Sequence, residues 1–146
     1  QNIKIIEKIR AKEENAKILT MGDFNDDPNN TSFKKILKTK RRKKNVGEND
    51  IYNPYENLHR KGFNTLAYRD NLNLFDMILI SLPLIDTGEK DFSTYKMYKA
   101  MIFNKHFLSD KKGKFKGYPF RSFSNGAYTG GYSDHYPVYM YLIKKI

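Results

Sequence analysis

Hydrophobic and polar positions follow two periods along the chain, and together they predict helices mixed with strands. Residues 3–14 place isoleucines among lysines, glutamates and an arginine at the spacing of an amphipathic helix. The segment "SFKKILKT" predicts a second helix that starts near Ser32, with Phe33, Ile36 and Leu37 on one face.

Short apolar segments predict the strands. "KILTMG" ends at Gly22, while "FNTLAYRD" and "LNLFDMILIS" predict a hairpin that turns at Asp70 and Asn71. "DFSTYKMYKAMIFN" alternates polar and apolar residues, and "VYMYLIKK" is a further apolar strand. No repeat, linker or shift in composition divides the sequence, so we expect residues 1–146 to form one unit of α/β or α+β class.

The composition is that of a globular protein. Of the 146 residues, 39% are hydrophobic and 29% are charged. The absence of cysteine excludes disulfides and thiolate metal sites, and leaves the compartment open. No apolar run approaches the roughly 20 residues that a membrane-spanning helix needs.

The net charge of +11 suits a phosphate-bearing partner such as nucleic acid. General over-use of lysine and asparagine explains the same charge. The basic run "KTKRRKKNVGEND" is predicted to be a solvated loop, with nucleic-acid contact as the alternative.

One acidic segment, "ILTMGDFNDDPNN", begins like a calcium-binding EF-hand loop when it is read from Asp23. Such a loop needs glycine at its sixth position and a bidentate glutamate at its twelfth. Those positions hold Pro28 and Lys34. The segment is therefore not a calcium cage, and it is either a polar turn or part of an active site.

A single carboxylate interrupts the apolar strand "LNLFDMILIS". Asp76 has apolar neighbours on both faces of this strand, which is the pattern of a buried strand. A carboxylate there must find a cationic or hydrogen-bonding partner. The alternative is an edge strand whose aspartate reaches water.

A third polar group precedes the strand "VYMYLI". In "GGYSDHYPVY", two glycines come before Ser133, Asp134 and His135. Neighbouring side chains point apart, so this tripeptide is not a serine-protease triad by itself. Loops at strand ends are common places for functional residues, although a lone histidine is more often structural.

The ordered set G-D-F-N, F-D-M-I-L-I-S and S-D-H-Y-P-V resembles the C-terminal half of the endonuclease/exonuclease/phosphatase family. These are metal-dependent phosphoesterases that include DNase I-like nucleases, inositol-phosphate phosphatases and sphingomyelinases. The resemblance runs from about Ile18 to the end of the sequence, and "GYPFRSF" with "GGYSDHYPVY" resembles the bacterial branch. It implies a four-layer α/β/β/α sandwich.

The resemblance also implies roles for individual residues. Asp23 would hold and deprotonate the attacking water, and Asn25 would bind the scissile phosphate. Asp76 would pair with His135, fix the orientation of the imidazole and favour its charged form. His135 would then stabilise the negative charge that develops on the phosphate. Arg121 of the "YPFRSF" segment is a further candidate for substrate binding, on its side-chain chemistry alone.

The implied cofactor is Mg²⁺, with Mn²⁺ as the alternative, and Asp134 and Asp23 are its implied ligands. The family's main metal-binding glutamate belongs to the N-terminal half of the domain, which we expect to be missing. Glu7, Glu13 and Glu14 match no such motif. We therefore expect the isolated chain to be inactive, and to associate with the missing half or with itself.

The substrate stays open among DNA, RNA, sugar or inositol phosphates and phospholipid headgroups. Phe120, Arg121, Phe123 and Tyr128 either contact it or belong to packing and surface. The alternative function is a basic, aromatic-rich module that binds nucleic acid without hydrolysing it.

Overall fold

The computed structural model describes residues 1–146 and has a mixed α/β architecture, so the predicted fold class is confirmed. The α-helices are α1 (Asn2–Lys12) and α2 (Tyr55–His59). The strands are β1 (Leu19–Asp23), β2 (Thr39–Lys40), β3 (Ile51–Tyr52), β4 (Leu66–Tyr68), β5 (Asn71–Asn73), β6 (Asp76–Ser81), β7 (Lys96–Ile102), β8 (Phe123–Ser124), β9 (Ala127–Tyr128) and β10 (Val138–Ile143). Single helical turns occur at Ser32–Ile36, Lys43–Asn45, Leu82–Leu84 and His106–Leu108.

The main sheet has the strand order β1-β6-β3-β2. β1 and β6 are antiparallel, and their register runs from Leu19 opposite Ile80 to Asp23 opposite Asp76. The last residue of β1 therefore lies beside the first residue of β6. β6 is central and apolar on both faces, and all of its residues except Asp76 are buried.

A second sheet of β7 and β10 packs against the main sheet. Ile80 of β6 and Met97 of β7 share one buried cluster, to which Met140 of β10 adds partly buried contacts. A larger cluster joins Ile6 of α1 to β6 and to Ile102 of β7. The two sheets of a sandwich are thus present with a helix against the core, and the complete four-layer arrangement stays a prediction.

The first predicted helix is present as α1, whereas the second is only the five-residue turn Ser32–Ile36, which has π-helical hydrogen bonding. Phe33 and Leu37 are buried as predicted. Ile36 is 58% exposed, so its assignment to the same apolar face was wrong. A turn with i→i+5 hydrogen bonds is wider than an α-helical turn, so Ile36 is rotated away from the face that Phe33 shares with Leu37.

The predicted hairpin is correct only in its first part. β4 pairs with β5 across a turn at Arg69 and Asp70, both of which have positive φ. The chain then leaves this hairpin, and β6 pairs with β1 and β3 instead. β6 is apolar on both faces and pairs where both faces are covered, whereas β5 of the hairpin is largely exposed.

The basic segment 38–50 is a surface connection with two short ordered pieces, β2 and the turn Lys43–Asn45.

Glu56 of α2 is 5% exposed and has its carboxylate 2.7 Å from Lys34 Nζ. No helix combines the length and the apolar composition needed to cross a bilayer.

Candidate active site

Two carboxylates face each other at one end of the main sheet. Asp23 and Asp76 are opposite each other in the antiparallel register, so their side chains lie on the same face with Cβ atoms about 5 Å apart. Like charges in this relation are destabilising. A fold keeps such a pair when other groups offset the repulsion, and active sites are where this arrangement is common.

The hydrogen-bonding partner that Asp76 needs is His135. Its Nδ1 lies 2.7 Å from Asp76 Oδ2, and the two side chains are 25% and 18% exposed, respectively. His135 also forms an isolated antiparallel bridge with Leu66 at the start of β4. The contact orients the imidazole through Nδ1, so that Nε2 is the nitrogen left to meet a substrate.

Thr65 fixes both members of this pair from one buried position. It is 0% exposed, and its Oγ1 accepts hydrogen bonds from the backbone N–H of Phe75 at 3.1 Å and of Asp76 at 3.3 Å. Its carbonyl oxygen accepts from the backbone N–H of Tyr136 at 2.7 Å, next to His135. Thr65 therefore sets the separation between the strand of the carboxylate and the loop of the imidazole.

The turn after β1 presents Asp23 and Asn25 to solvent. Asp23 Oδ1 accepts a hydrogen bond of 2.8 Å from the backbone N–H of Asn25, and the second carboxylate oxygen has no protein hydrogen bond. Asn25 has φ +51°, a conformation that asparagine tolerates better than most residues. Gly22 has φ +145° and open space around its Cβ position, so its backbone conformation is what favours glycine there.

The rest of this turn is held by its own acids, as the turn interpretation of Asp26, Asp27 and Pro28 predicts. Asp27 accepts hydrogen bonds from the backbone N–H of Leu74 at 2.8 Å and from Asn73 Nδ2 at 2.9 Å. Asp26 accepts from Asn30 and Ser32. Asp27 thereby anchors the turn to the segment that leads into β6.

The loop that bears Asp134 and His135 approaches a neighbouring backbone closely. A Cβ on Gly131 would lie 2.1 Å from the carbonyl oxygen of Arg121, so no other residue fits there without a shift of backbone. The N–H of Tyr132 donates to Phe120 O at 2.8 Å. Gly131 thus allows the loop to dock on the "YPFRSF" segment.

The carboxylates that could supply oxygen ligands to a divalent cation do not form one cluster. No group of three or more His, Asp or Glu side chains is close enough together to hold a metal ion. Asp134 is 53% exposed at its side chain, and its Oδ2 lies 4.0 Å from Arg121 Nη2. Mg²⁺ usually takes one or two protein carboxylates and keeps several waters, so the donor chemistry of Asp134 fits such an ion.

The structure brings Asp23, Asp76 and His135 to one end of the sandwich, with Asn25 next to Asp23 and Asp134 next to His135. Arg121 joins this group through Asp134. Sequence reasoning did not single out Thr65, because a threonine in a strand-like segment is ordinary. Apart from its suitability for a turn, nothing in the sequence indicated that Asp27 anchors this turn to the segment before β6.

We expect Thr65→Val to lower the free energy of unfolding by about 1–3 kcal/mol, because a buried acceptor for two N–H groups is lost at nearly constant volume. Thr65→Ser keeps the acceptor and is the matched control. Denaturant titration measures the change. Activity of the full-length protein should fall further than this stability loss explains; a stable Val variant with normal activity would contradict the positioning role.

Comparison with known proteins gives one match. A sequence model described as the endonuclease/exonuclease/phosphatase family matches residues 2–144, nearly the whole chain. Searches among curated proteins and among solved structures found no match.

Proposed function

Because the chain belongs to the endonuclease/exonuclease/phosphatase family, we propose that it hydrolyses a phosphate ester with a water activated by Asp23. The single observation that best supports the proposal is the contact between His135 Nδ1 and Asp76 Oδ2 at 2.7 Å, one strand away from Asp23. A general base, an oriented imidazole and an amide are then available at one end of the main sheet.

Asp23 is suited to the role of general base. One of its carboxylate oxygens is held by the N–H of Asn25 at 2.8 Å, which fixes the side chain. The other oxygen is free to accept a proton from a water molecule in line with the phosphorus atom. General-base catalysis of this kind contributes a rate factor of about 10² to 10⁴.

His135 and Asn25 act on the phosphate itself. The Asp76 carboxylate holds the imidazole at Nδ1, so in the imidazolium form Nε2–H would be the donor that reaches a phosphate oxygen and stabilises the charge that grows there. Asn25 would donate its side-chain amide to a second oxygen. These donors are positioned before the substrate arrives, which reduces the reorganisation needed during the reaction.

Asp134 is the residue that would hold Mg²⁺, directly or through a water molecule, with Asp23 as the second carboxylate. The bound ion would supply neutralisation of negative charge on the phosphate. The glutamate ligand implied by the family is expected from an N-terminal half of the domain, and that expectation stays a prediction.

A substrate panel tests the proposed function. We expect the full-length protein to hydrolyse at least one of DNA, RNA, sugar or inositol phosphates and phospholipids in Mg²⁺, and EDTA to abolish turnover. Turnover that survives EDTA would contradict the metal requirement.

The competing function is binding of nucleic acid without hydrolysis. The charge of +11 and the exposed tyrosines favour it, but they give no reason for opposed carboxylates at Asp23 and Asp76. Under this alternative, a substitution at Asp23 would leave the measured function unchanged.

A further inference from the structure

A cleft of about 420 Å³ opens beside the candidate active site. Its walls come from the β4–β5 turn, the loop before β8 and the β8–β9 hairpin. Leu66, which bridges to His135, directly precedes the lining residue Ala67. Arg121 lines the cleft and also contacts Asp134. A substrate bound at His135 would therefore extend into this cleft.

Aromatic rings supply much of the cleft lining, and several of them are left open to solvent. Tyr68 is 53% exposed, Phe115 is 49% exposed and Phe123 is 62% exposed. Covering aromatic surface of this size is favourable, so a ligand with a flat apolar face would gain binding free energy there. The ring of Phe123 is also held by Tyr128 at a centroid distance of 5.5 Å, across the β8–β9 hairpin.

Cations lie against the same rings. The guanidinium carbon of Arg69 is 5.1 Å from the ring centroid of Tyr68, and Lys114 Nζ is 5.8 Å from that of Phe115. Arg121 is a third cation in the lining. Pairing with a ring holds each cation in place. The cleft thus presents stacking surfaces together with groups that attract phosphate.

Two acids line the cleft as well, and one of them is engaged. Tyr118 donates its hydroxyl hydrogen to Asp70 Oδ1 at 2.9 Å, and this hydrogen bond raises the pKa of the Tyr118 phenol. The phenol stays neutral at physiological pH and keeps one oxygen of Asp70 occupied. With Asp110 as the second acid, the three cations outnumber the acids.

We infer that this cleft binds a base of a single-stranded nucleic acid whose adjoining phosphate lies at His135 and Asp23. The inference rests on the proposed phosphoesterase function and specifies its substrate. A base in a duplex is stacked between its neighbours and cannot enter a cleft, whereas an unpaired base can. Stacking on rings beside cations is the usual means of holding such a strand.

A phospholipid surface is the main competitor, because aromatic and basic residues also contact membranes. Rings that insert into a bilayer lie on a convex surface, whereas the exposed rings here line a concave cleft together with the half-buried Tyr118 and Phe120. An inositol or sugar phosphate would need hydrogen-bonding groups around most of its surface, whereas the exposed surface of the cleft is more apolar than polar. The observations favour the nucleobase.

The test measures binding of a labelled single-stranded oligonucleotide to the full-length protein by fluorescence anisotropy, in EDTA to prevent hydrolysis. An abasic strand of equal length and charge is the comparison. We expect the strand with bases to bind about tenfold more tightly. Phe115→Leu should remove this preference and Phe115→Tyr should keep it. Phe63→Leu, at a ring 41% exposed outside the cleft, should change nothing.

Equal affinity of the wild-type protein for both strands would overturn the inference. So would a Phe115→Leu variant that loses binding to phosphatidylserine–phosphatidylcholine vesicles while its oligonucleotide affinity is unchanged, since that outcome assigns the rings to a membrane. The readout is independent of hydrolysis. Full activity after substitution of Asp23 would therefore refute the proposed function alone, and an active enzyme without base preference would refute the cleft assignment alone.

Discussion

Replacing Asp23 with asparagine should lower kcat of the full-length protein by about 10² to 10⁴ while leaving its stability nearly unchanged. The amide oxygen of asparagine can still accept the hydrogen bond from the N–H of Asn25, which is 2.8 Å long in the native turn. The substitution therefore removes the base and keeps the turn. Steady-state kinetics on the best substrate of the panel, together with thermal unfolding, measures both quantities.

Asp86 offers a matched control for this experiment. Its Oδ1 accepts a hydrogen bond of 3.0 Å from the N–H of Gly88, two residues later, as Asp23 does from Asn25. Asp86→Asn should leave kcat unchanged, because Asp86 lies outside the site. If Asp23→Asn retains near-normal turnover, or if both variants lose activity equally, Asp23 is not the base.

Asp76→Asn and His135→Gln should each lower kcat by about 10² or more, and the double variant should be no worse than the more damaged single one. The reason is that the two side chains act as a unit through the 2.7 Å contact. Without the carboxylate the imidazole loses its fixed orientation, and without the imidazole the carboxylate has nothing to orient.

A double-mutant cycle in kcat measures this coupling. His106→Gln is the control, since His106 is exposed in the short turn His106–Leu108 and pairs with no acid. If the fold-losses in kcat of the two single variants multiply in the double variant, Asp76 and His135 act separately, and the orienting role is wrong. Oligonucleotide binding should persist in both single variants, because the cleft does not depend on the imidazole.

The sequence predicts the pairing of Asp76 better than it predicts the connections between strands. The anomaly of Asp76 is visible without coordinates, because a charged group in a strand that is apolar on both faces requires a partner. The identity of that partner follows from the resemblance. The role of Thr65 cannot be predicted from the sequence, as for most buried polar groups, because it depends on two backbone segments that meet only in the folded chain.

The errors in the predicted elements have a common cause. Ile36 was placed on a buried face because periodicity was extended through a segment that forms only one turn. The hairpin was extended through β6 because adjacency in sequence favours pairing, whereas β6 is apolar on both faces and pairs within the main sheet. The local sequence pattern indicates which element a segment prefers, but burial against distant segments can override that preference.

The sequence by itself determined the mixed α/β class, the family and the chemical types of the site residues, since periodicity, motif order and side-chain chemistry are properties of the chain. The tertiary structure decided the register that sets Asp23 opposite Asp76, the contact of Asp76 with His135, and the cleft of aromatic and basic residues beside them. These three features depend on which distant segments pair and pack together, and burial of the whole core determines that pairing.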